Sequence, residues 1–325
     1  MLRLIKRHWP DSEIHWWIDS KLAPLLEGDP DLAGIVRFER NGWSRARRWL
    51  DLWRSIQWAR RQSFDLVIDL QCLARSAIFG WLANGKLTIG LDESREGARA
   101  FYDIIVPRGS YYTHAVDWYL AILPLIKVPV HWNFEWLPER PDVAAAILEK
   151  WPETKNRHWI VLQPGARWLN KRWPIENFAE LARSLATKFS ELNFAILGGA
   201  EDKPLGHTIA QAEPSRYLDL TGKLSLPEMV EWVRLSELMV TNDTGPMHVA
   251  AALKKPVVAL FGPTEPARTG PYEQIEHALQ LNLPCVPCMK SHCSYFKPFE
   301  CLKALPTDAV LNAVSNRLIE MGIDR

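Results

Sequence analysis

The sequence predicts an α/β protein made of two Rossmann-like domains that face each other, with ligands at the carboxyl ends of the strands. Three observations predict it. Short apolar runs alternate with amphipathic stretches along most of the chain, which marks βαβ units around a parallel sheet. The alternation stops at a proline-bearing segment and restarts in the second half. The length, 325 residues, exceeds what one core usually organises.

In the first half, strands are expected at 13–18 (EIHWWI), 34–39 (GIVRFE), 64–70 (FDLVIDL) and 86–91 (KLTIGL). Helices are expected near 20–27, 44–62, 73–84 and 113–126. The stretch KVPVHWNFEWLPERPDV carries three prolines and no helical period, so it reads as a linker. The expected organisation is a first domain at 1–130, a linker at 131–157 and a second domain at 158–325. Strands in the second domain fit 158–163, 193–199, 216–220, 238–242 and 256–262. Its helices carry start signals: Pro174 at a first helical position, a capping box from Ser225 to Glu228, and Thr307 as the cap of the last helix.

Composition narrows the function classes. Apolar content of 47% with 24% charge is that of a soluble globular protein, and a net charge of +1 offers no global attraction for nucleic acid. No run approaches the roughly 18 apolar residues of a membrane span. The start, MLRLIKRHWPD, lacks a secretory core and cleavage site, so a cytoplasmic protein is expected. Walker, G-x-G-x-x-G and G-x-S-x-G patterns are absent, which leaves kinase, dehydrogenase and hydrolase readings without support.

Chemistry concentrates where strands hand over to helices. In TNDTGPMHVAAAL, residues 242–248 form a turn at a carboxyl strand end, before a helix starting near Gly245. A helix start offers unpaired N–H groups and a positive dipole end, and a glycine there lets a phosphate approach the backbone. Thr244 adds a hydroxyl, and His248 lies one turn in, on the ligand side or against the core. The alternative is that Asp243 merely caps the helix and His248 is packed. A second loop, QPGARWLNKRWP, also lies between strand and helix and holds Lys171 beside Arg172, cations that a helix start by itself disfavours. A third, GGAEDK, supplies Glu201 as an acceptor for a ribose or sugar hydroxyl.

Two other features leave alternatives open. Cys285, Cys288, Cys293 and Cys301 have the spacing C-x2-C-x4-C-x7-C, which admits a structural zinc, free thiols or disulfides, the last disfavoured in the cytosol. Cys72 reads as an isolated core thiol. The helix SRARRWLDLWRSIQWARR carries six arginines, suited either to anionic lipid or an acidic acceptor, or to an ordinary solvated face.

Taken together, PGARWLNKRWP, LGGAED and TNDTGPMHVAAALKKPVVALFGPTEP resemble the glycosyltransferase family that contains the ADP-heptose:lipopolysaccharide heptosyltransferases. FDLVIDLQCLARSAIFGWLA and THAVDWYLAIL resemble it too, so the likeness spans nearly the whole chain in order. It implies a GT-B fold, two Rossmann-like domains across a cleft, with no metal or other cofactor needed for catalysis. It implies inverting transfer of heptose from ADP-heptose, held by the second domain, to a lipid A–inner core acceptor, held by the first. The setting implied is the cytoplasm, with peripheral contact to the inner face of the inner membrane and no nucleic-acid partner. By motif, Lys171, Thr244 and Gly245 would hold the diphosphate, Lys171 stabilising it as it leaves. Glu201 would contact the ribose, Leu224 the adenine, and Asp243 and His248 the sugar side of the donor. Arg167 stands where relatives often carry a small hydroxyl residue. The family's opening strand and glycine–aspartate loop, which carries the general base, have no counterpart here. Two rival expectations follow: a relative using another glycosyl donor, and an incomplete or degenerate nucleotide-sugar-binding protein with little transfer.

Overall fold

Parallel strands cannot be joined by tight turns, so each successive strand must return through a crossover, usually a helix. The computed structural model follows that rule across the residues it describes, 1–39, 46–93, 96–131, 136–211 and 215–323. They fall into two units, Met1–Phe134 and Glu135–Arg325.

The first unit holds β1 (His15–Asp19), β2 (Gly34–Phe38), β3 (Leu66–Asp69), β4 (Leu87–Leu91) and β5 (Ile104–Val106). β1 and β2 form one parallel pair, and β3-β4-β5 a second parallel sheet. Ile89, Leu91, Val106, Trp118 and Ile122 form its core. At the end of β3, buried Asp69 accepts from the Tyr102 hydroxyl at 2.7 Å and from the N–H of Gln71 and Cys72. Cys72 is therefore not isolated: its Sγ donates to the Asp69 carbonyl and accepts from the Leu91 N–H, both at 3.3 Å. Burial, first of all, pushes this thiol up to about 11.

The second unit holds β6 (His158–Gln163), β7 (Leu192–Ile196), β8 (Tyr217–Asp219), β9 (Leu238–Asn242), β10 (Val257–Phe261) and β11 (Ala278–Gln280). They make one six-stranded parallel sheet in the order β11-β10-β9-β6-β7-β8. Alternation along β6 divides two cores: Ile160 and Leu162 pack with the helices Ile175–Lys188 and Thr307–Glu320, while Trp159 and Val161 pack with Trp232 and Ile147. Both faces of the sheet are covered, as continuous apolar strands require.

Several expected elements differ. The 20–27 segment forms only a short 3-10 turn, Ala23–Leu25, and the 113–126 helix splits into Ala115–Leu120 and Ile122–Leu125. Within the expected linker, Pro141–Lys150 is a helix of the second unit, its Ile147 fully buried; residues 132–135 lie outside the described residues. The proline that suggested irregularity sits in the first turn, where its missing N–H costs nothing. Pro174 lies at the cap and the helix begins at Ile175. Pro306 takes the cap position of the last helix, and Thr307 instead donates to Glu180 at 2.8 Å. The arginine-rich helix runs Ala46–Gln62 and exposes Leu50 and Trp53; Arg45 lies outside the described residues.

The capping box forms as expected. The Ser225 N–H donates to Glu228 Oε2 at 2.7 Å and the Glu228 N–H to Ser225 Oγ at 3.4 Å, opening the helix Leu226–Leu235. Ser225→Ala is expected to cost about 1 kcal/mol. Urea unfolding at constant slope checks it, and an unchanged midpoint would show that the cap contributes nothing.

Candidate functional site

In an open parallel sheet the crevice lies where the strand order reverses. Here the chain leaves β6 towards β7 and β8, then crosses back to β9 on the other side, so the reversal falls between β6 and β9. Their register pairs Gln163 with Thr241, which sets the loops that follow them side by side.

Asn242, the last residue of β9 and fully buried, fastens the two loops together. Its Nδ2 donates to the Pro164 carbonyl at 2.7 Å, and its Oδ1 accepts from the Trp173 N–H at 3.0 Å. The indole Nε1 of Trp173 donates to the Leu305 carbonyl at 3.0 Å, anchoring the loop from beneath. A further tie reaches the loop after β7: Arg172 lies 3.4 Å from Asp202, whose Oδ2 accepts from the Gly199 N–H at 3.0 Å. Arg172 also donates to the Ala166 carbonyl in its own loop at 2.8 Å, so it braces that backbone.

Lys171 ends the 3-10 turn Leu169–Lys171. Its ammonium lies 2.5 Å from Asp243 Oδ2 and 4.7 Å above the Trp168 ring. The same carboxylate oxygen accepts from Thr264 Oγ1 at 2.5 Å. Thr264 follows β10, and Gln280 on β11 donates to its carbonyl at 2.6 Å. The side chains of Lys171 and Asp243 are 16% and 6% exposed. The pair is thus shielded enough for its charges to act strongly, yet the ammonium keeps a face to solvent.

The helix Gly245–Ala252 starts two residues beyond Asp243. Asp243 bonds across to Lys171 and Thr264, so the simple capping alternative fails for it. Thr244 occupies the cap position without a side-chain cap bond. The helix start offers fewer unpaired N–H groups than expected. Pro246 has no N–H, and Met247 donates to the Thr244 carbonyl at 3.2 Å. Among the described residues the N–H groups of Thr244 and Gly245 remain without a backbone acceptor. A Cβ placed on Gly245 would meet nothing within 4 Å, so the backbone here faces open space. His248 is exposed on this helix, not packed in the core.

The remaining expected residues surround the same sheet edge. Glu201 is exposed, and its carboxylate sits where a Cβ on Gly199 would collide at 2.5 Å, so the glycine makes room for it. Leu224 is half-buried against the core that holds Trp232. Arg167 is exposed and makes no hydrogen bond or ion pair with a described residue. The structure brings Lys171, Asp243, Thr244 and Gly245 together. It adds Asn242, Thr264 and Asp202, which local pattern did not single out. A buried polar side chain ending an apolar strand was the available signal for Asn242.

The cysteine quartet stands apart from this arrangement. All four are free thiols, and the Phe299 N–H donates to Cys293 Sγ at 3.3 Å. Burial, then the neighbouring Cys285, Cys293 and Cys288, pushes Cys301 up to about 11. Among the described residues no group of three or more His, Cys, Asp or Glu is gathered to hold a metal ion, so the zinc expectation finds no formed site. No helix among them is long and apolar enough to cross a membrane.

The sequence model of glycosyltransferase family 9 (heptosyltransferase) matches residues 49–298. Lipooligosaccharide heptosyltransferase 2 of Campylobacter jejuni is 32% identical over 323 residues, covering 98% of this chain and 92% of that protein. Lipopolysaccharide heptosyltransferase 1 of Pseudomonas aeruginosa is 29% identical over 301 residues, covering 88% and 80%. Among solved structures, a glycosyl transferase of family 9 from Veillonella parvula superposes with a TM-score of 0.80 at 23% identity, covering 98% of this chain and 92% of that one. An E. coli heptosyltransferase with ADP gives 0.75 at 21% identity, covering 97% and 93%. These last two likenesses establish the fold.

Proposed function

The chain belongs to glycosyltransferase family 9, the heptosyltransferase family, and on that premise we propose that it transfers heptose from ADP-heptose to the lipopolysaccharide inner core. One observation carries the donor assignment: a shielded ammonium, Lys171, stands beside a helix start whose glycine backbone faces open space. The names of the relatives supply the sugar and the acceptor, and the ADP bound to the E. coli neighbour supplies the nucleotide.

In this reading the diphosphate lies across the N–H groups of Thr244 and Gly245 and accepts from Lys171. Glu201 takes the ribose hydroxyls, Leu224 the adenine, and Asp243 and His248 the sugar side. Arg167 adds a cation at the outer edge. Transfer with inversion passes through an oxocarbenium-like transition state while negative charge grows on the departing diphosphate. Donors fixed before the reaction begins stabilise that charge without reorganising, and no metal is required of them. Asn242 and Asp202 act on the loops that carry these groups, not on the substrate. The acceptor is assigned to the first unit, at the inner face of the inner membrane.

Transfer of labelled heptose from ADP-heptose to a deacylated core acceptor tests the reading. Binding of ADP-heptose without transfer would make the chain a binding module, and no binding of any ADP-sugar would point to another donor. The glycine supplies a further test. Gly245→Ala places a methyl group in the space assigned to phosphate and is expected to weaken ADP binding about tenfold, some 1.4 kcal/mol. The melting temperature should hold or rise slightly, since alanine suits a helix better. Calorimetric titration with ADP checks it; an unchanged Kd would place the phosphates elsewhere.

A further inference from the structure

Between β11 and the helix Glu300–Lys303 the chain runs without helix or strand, through Cys285, Cys288 and Cys293. Two adjacent residues tie this segment to the loops after β10 and β6. The Met289 N–H donates to the Pro263 carbonyl at 2.7 Å, and the Lys290 carbonyl accepts from Asn170 Nδ2 at 2.8 Å. Each tie lands one residue ahead of a group that holds Asp243. Pro263 precedes Thr264, and Asn170 precedes Lys171.

These contacts close a ring. On one side Asp243 Oδ2 meets both the Lys171 ammonium and Thr264 Oγ1. On the other, Asn170 and Pro263 are joined through Met289–Lys290. The ring therefore passes through the loops after β6, β9 and β10 and through the cysteine-bearing segment. Each joint limits the freedom of the others, so opening the Asn170 joint leaves Lys171 free to swing about its contact with Asp243.

The turn Leu169–Lys171 has no apolar anchor. Leu169 is 67% exposed, and Asn170, 2% exposed, is the buried residue of the turn. An amide is a poor choice for stability at such a position. Its Oδ1 is buried and has no hydrogen-bond partner among the described residues. Leaving a carbonyl dry and unpaired costs more than one hydrogen bond returns, so a leucine of similar size would serve packing as well. The amide supplies direction instead. A donor aimed at the Lys290 carbonyl, 120 residues away in sequence, fixes the rotation of the turn from which Lys171 reaches Asp243. Gly262, just past β10, lets the turn sit close: a Cβ there would meet the Asn170 carbonyl at 3.1 Å and Leu302 at 3.0 Å.

We infer that Asn170 is a positioning residue for Lys171, and that Met289–Lys290 is the clasp it works against, so that the cysteine-bearing segment belongs to the frame of the donor site. The inference rests on the reading of Lys171 as the cation for the donor's diphosphate. Asn170 itself touches no substrate; it acts through the ammonium.

Trace acetylation of the ligand-free full chain with acetic anhydride, read lysine by lysine, tests the positioning without any donor. Lys171 is paired and 16% exposed, so it should label slowly. Asn170→Leu should raise its labelling about tenfold, with the other lysines unchanged and the melting temperature within about 2 °C. Ser225→Ala, which loosens the same unit away from the ring, should leave Lys171 as slow as before. Calorimetric titration should then show the Kd for ADP rising about fivefold in Asn170→Leu. Where Asn170→Leu does not fold, Gly262→Ala takes its place, because the added methyl group presses on the Asn170 carbonyl and should raise Lys171 labelling too. Unchanged labelling of Lys171, an equal rise in Ser225→Ala, or faster labelling with an unchanged Kd would each overturn the inference. A wild-type chain that binds no ADP would overturn the donor reading instead, and labelling alone would then decide whether Asn170 positions Lys171.

Discussion

Lys171→Ala lowers the single-turnover rate of heptose transfer by about a hundredfold or more, the scale on which a single preorganised donor acts. The ammonium is held 2.5 Å from Asp243 and 4.7 Å above Trp168, so it is aimed before any ligand arrives. Its loss has two consequences. Charge growing on the departing diphosphate goes unanswered, which lowers the rate of the chemical step. The Asp243 carboxylate, 6% exposed, keeps only the Thr264 hydroxyl and becomes an uncompensated negative charge beside a polyanion. That second effect weakens donor binding and costs stability, as breaking a shielded ion pair does. The double variant Lys171→Ala with Asp243→Asn separates the two: it should recover much of the lost stability without recovering the rate. Unchanged turnover in the single variant would remove Lys171 from the mechanism.

Asn242→Ala is the next largest effect, and it acts on the frame. The side chain is fully buried and bonds the Pro164 carbonyl and the Trp173 N–H, both on the neighbouring loop. Truncation leaves two buried backbone groups without partners, at about 1–3 kcal/mol each, so a loss of about 2–5 kcal/mol is expected. For a unit of this size that lowers the melting temperature by roughly 5–15 °C. Because the same loop carries Lys171, ADP affinity should fall as well, although Asn242 touches no ligand in this account. Scanning calorimetry with and without ADP reads both. A shift of under a degree would mean that the loops are held by other contacts.

How far the sequence could be read depended on the range of the interaction that decided each feature. Local periodicity was enough for β6, β9 and β10, whose apolar runs are long and bounded, and for the Ser225–Glu228 box, where both partners lie within one turn. It was too weak for β5 and β11, three residues each, which are strands only because β4 and β10 stand beside them. The helix Pro141–Lys150 was hidden by its own start signal, since prolines on both sides of Arg140 drew attention to irregularity. The loops proposed to hold the anion were legible by their composition, and Lys171, Thr244 and Gly245 were named from them. The frame that joins those loops was not. Asn242 reaches back 78 residues to Pro164, and Thr264 lies 21 residues beyond the carboxylate it holds. Such contacts exist only after the sheet has brought the carboxyl ends of β6, β9 and β10 together. The Lys171–Asp243 ion pair, which links two of those ends, was likewise invisible to spacing.

A crystal structure of the full chain with ADP bears most directly on the account. The diphosphate is expected within hydrogen-bond distance, about 3.2 Å or less, of the Gly245 N–H and the Lys171 ammonium, with Asn242 still joining the two loops. ADP bound with its phosphates away from both groups, and Lys171 still paired only with Asp243, would contradict it.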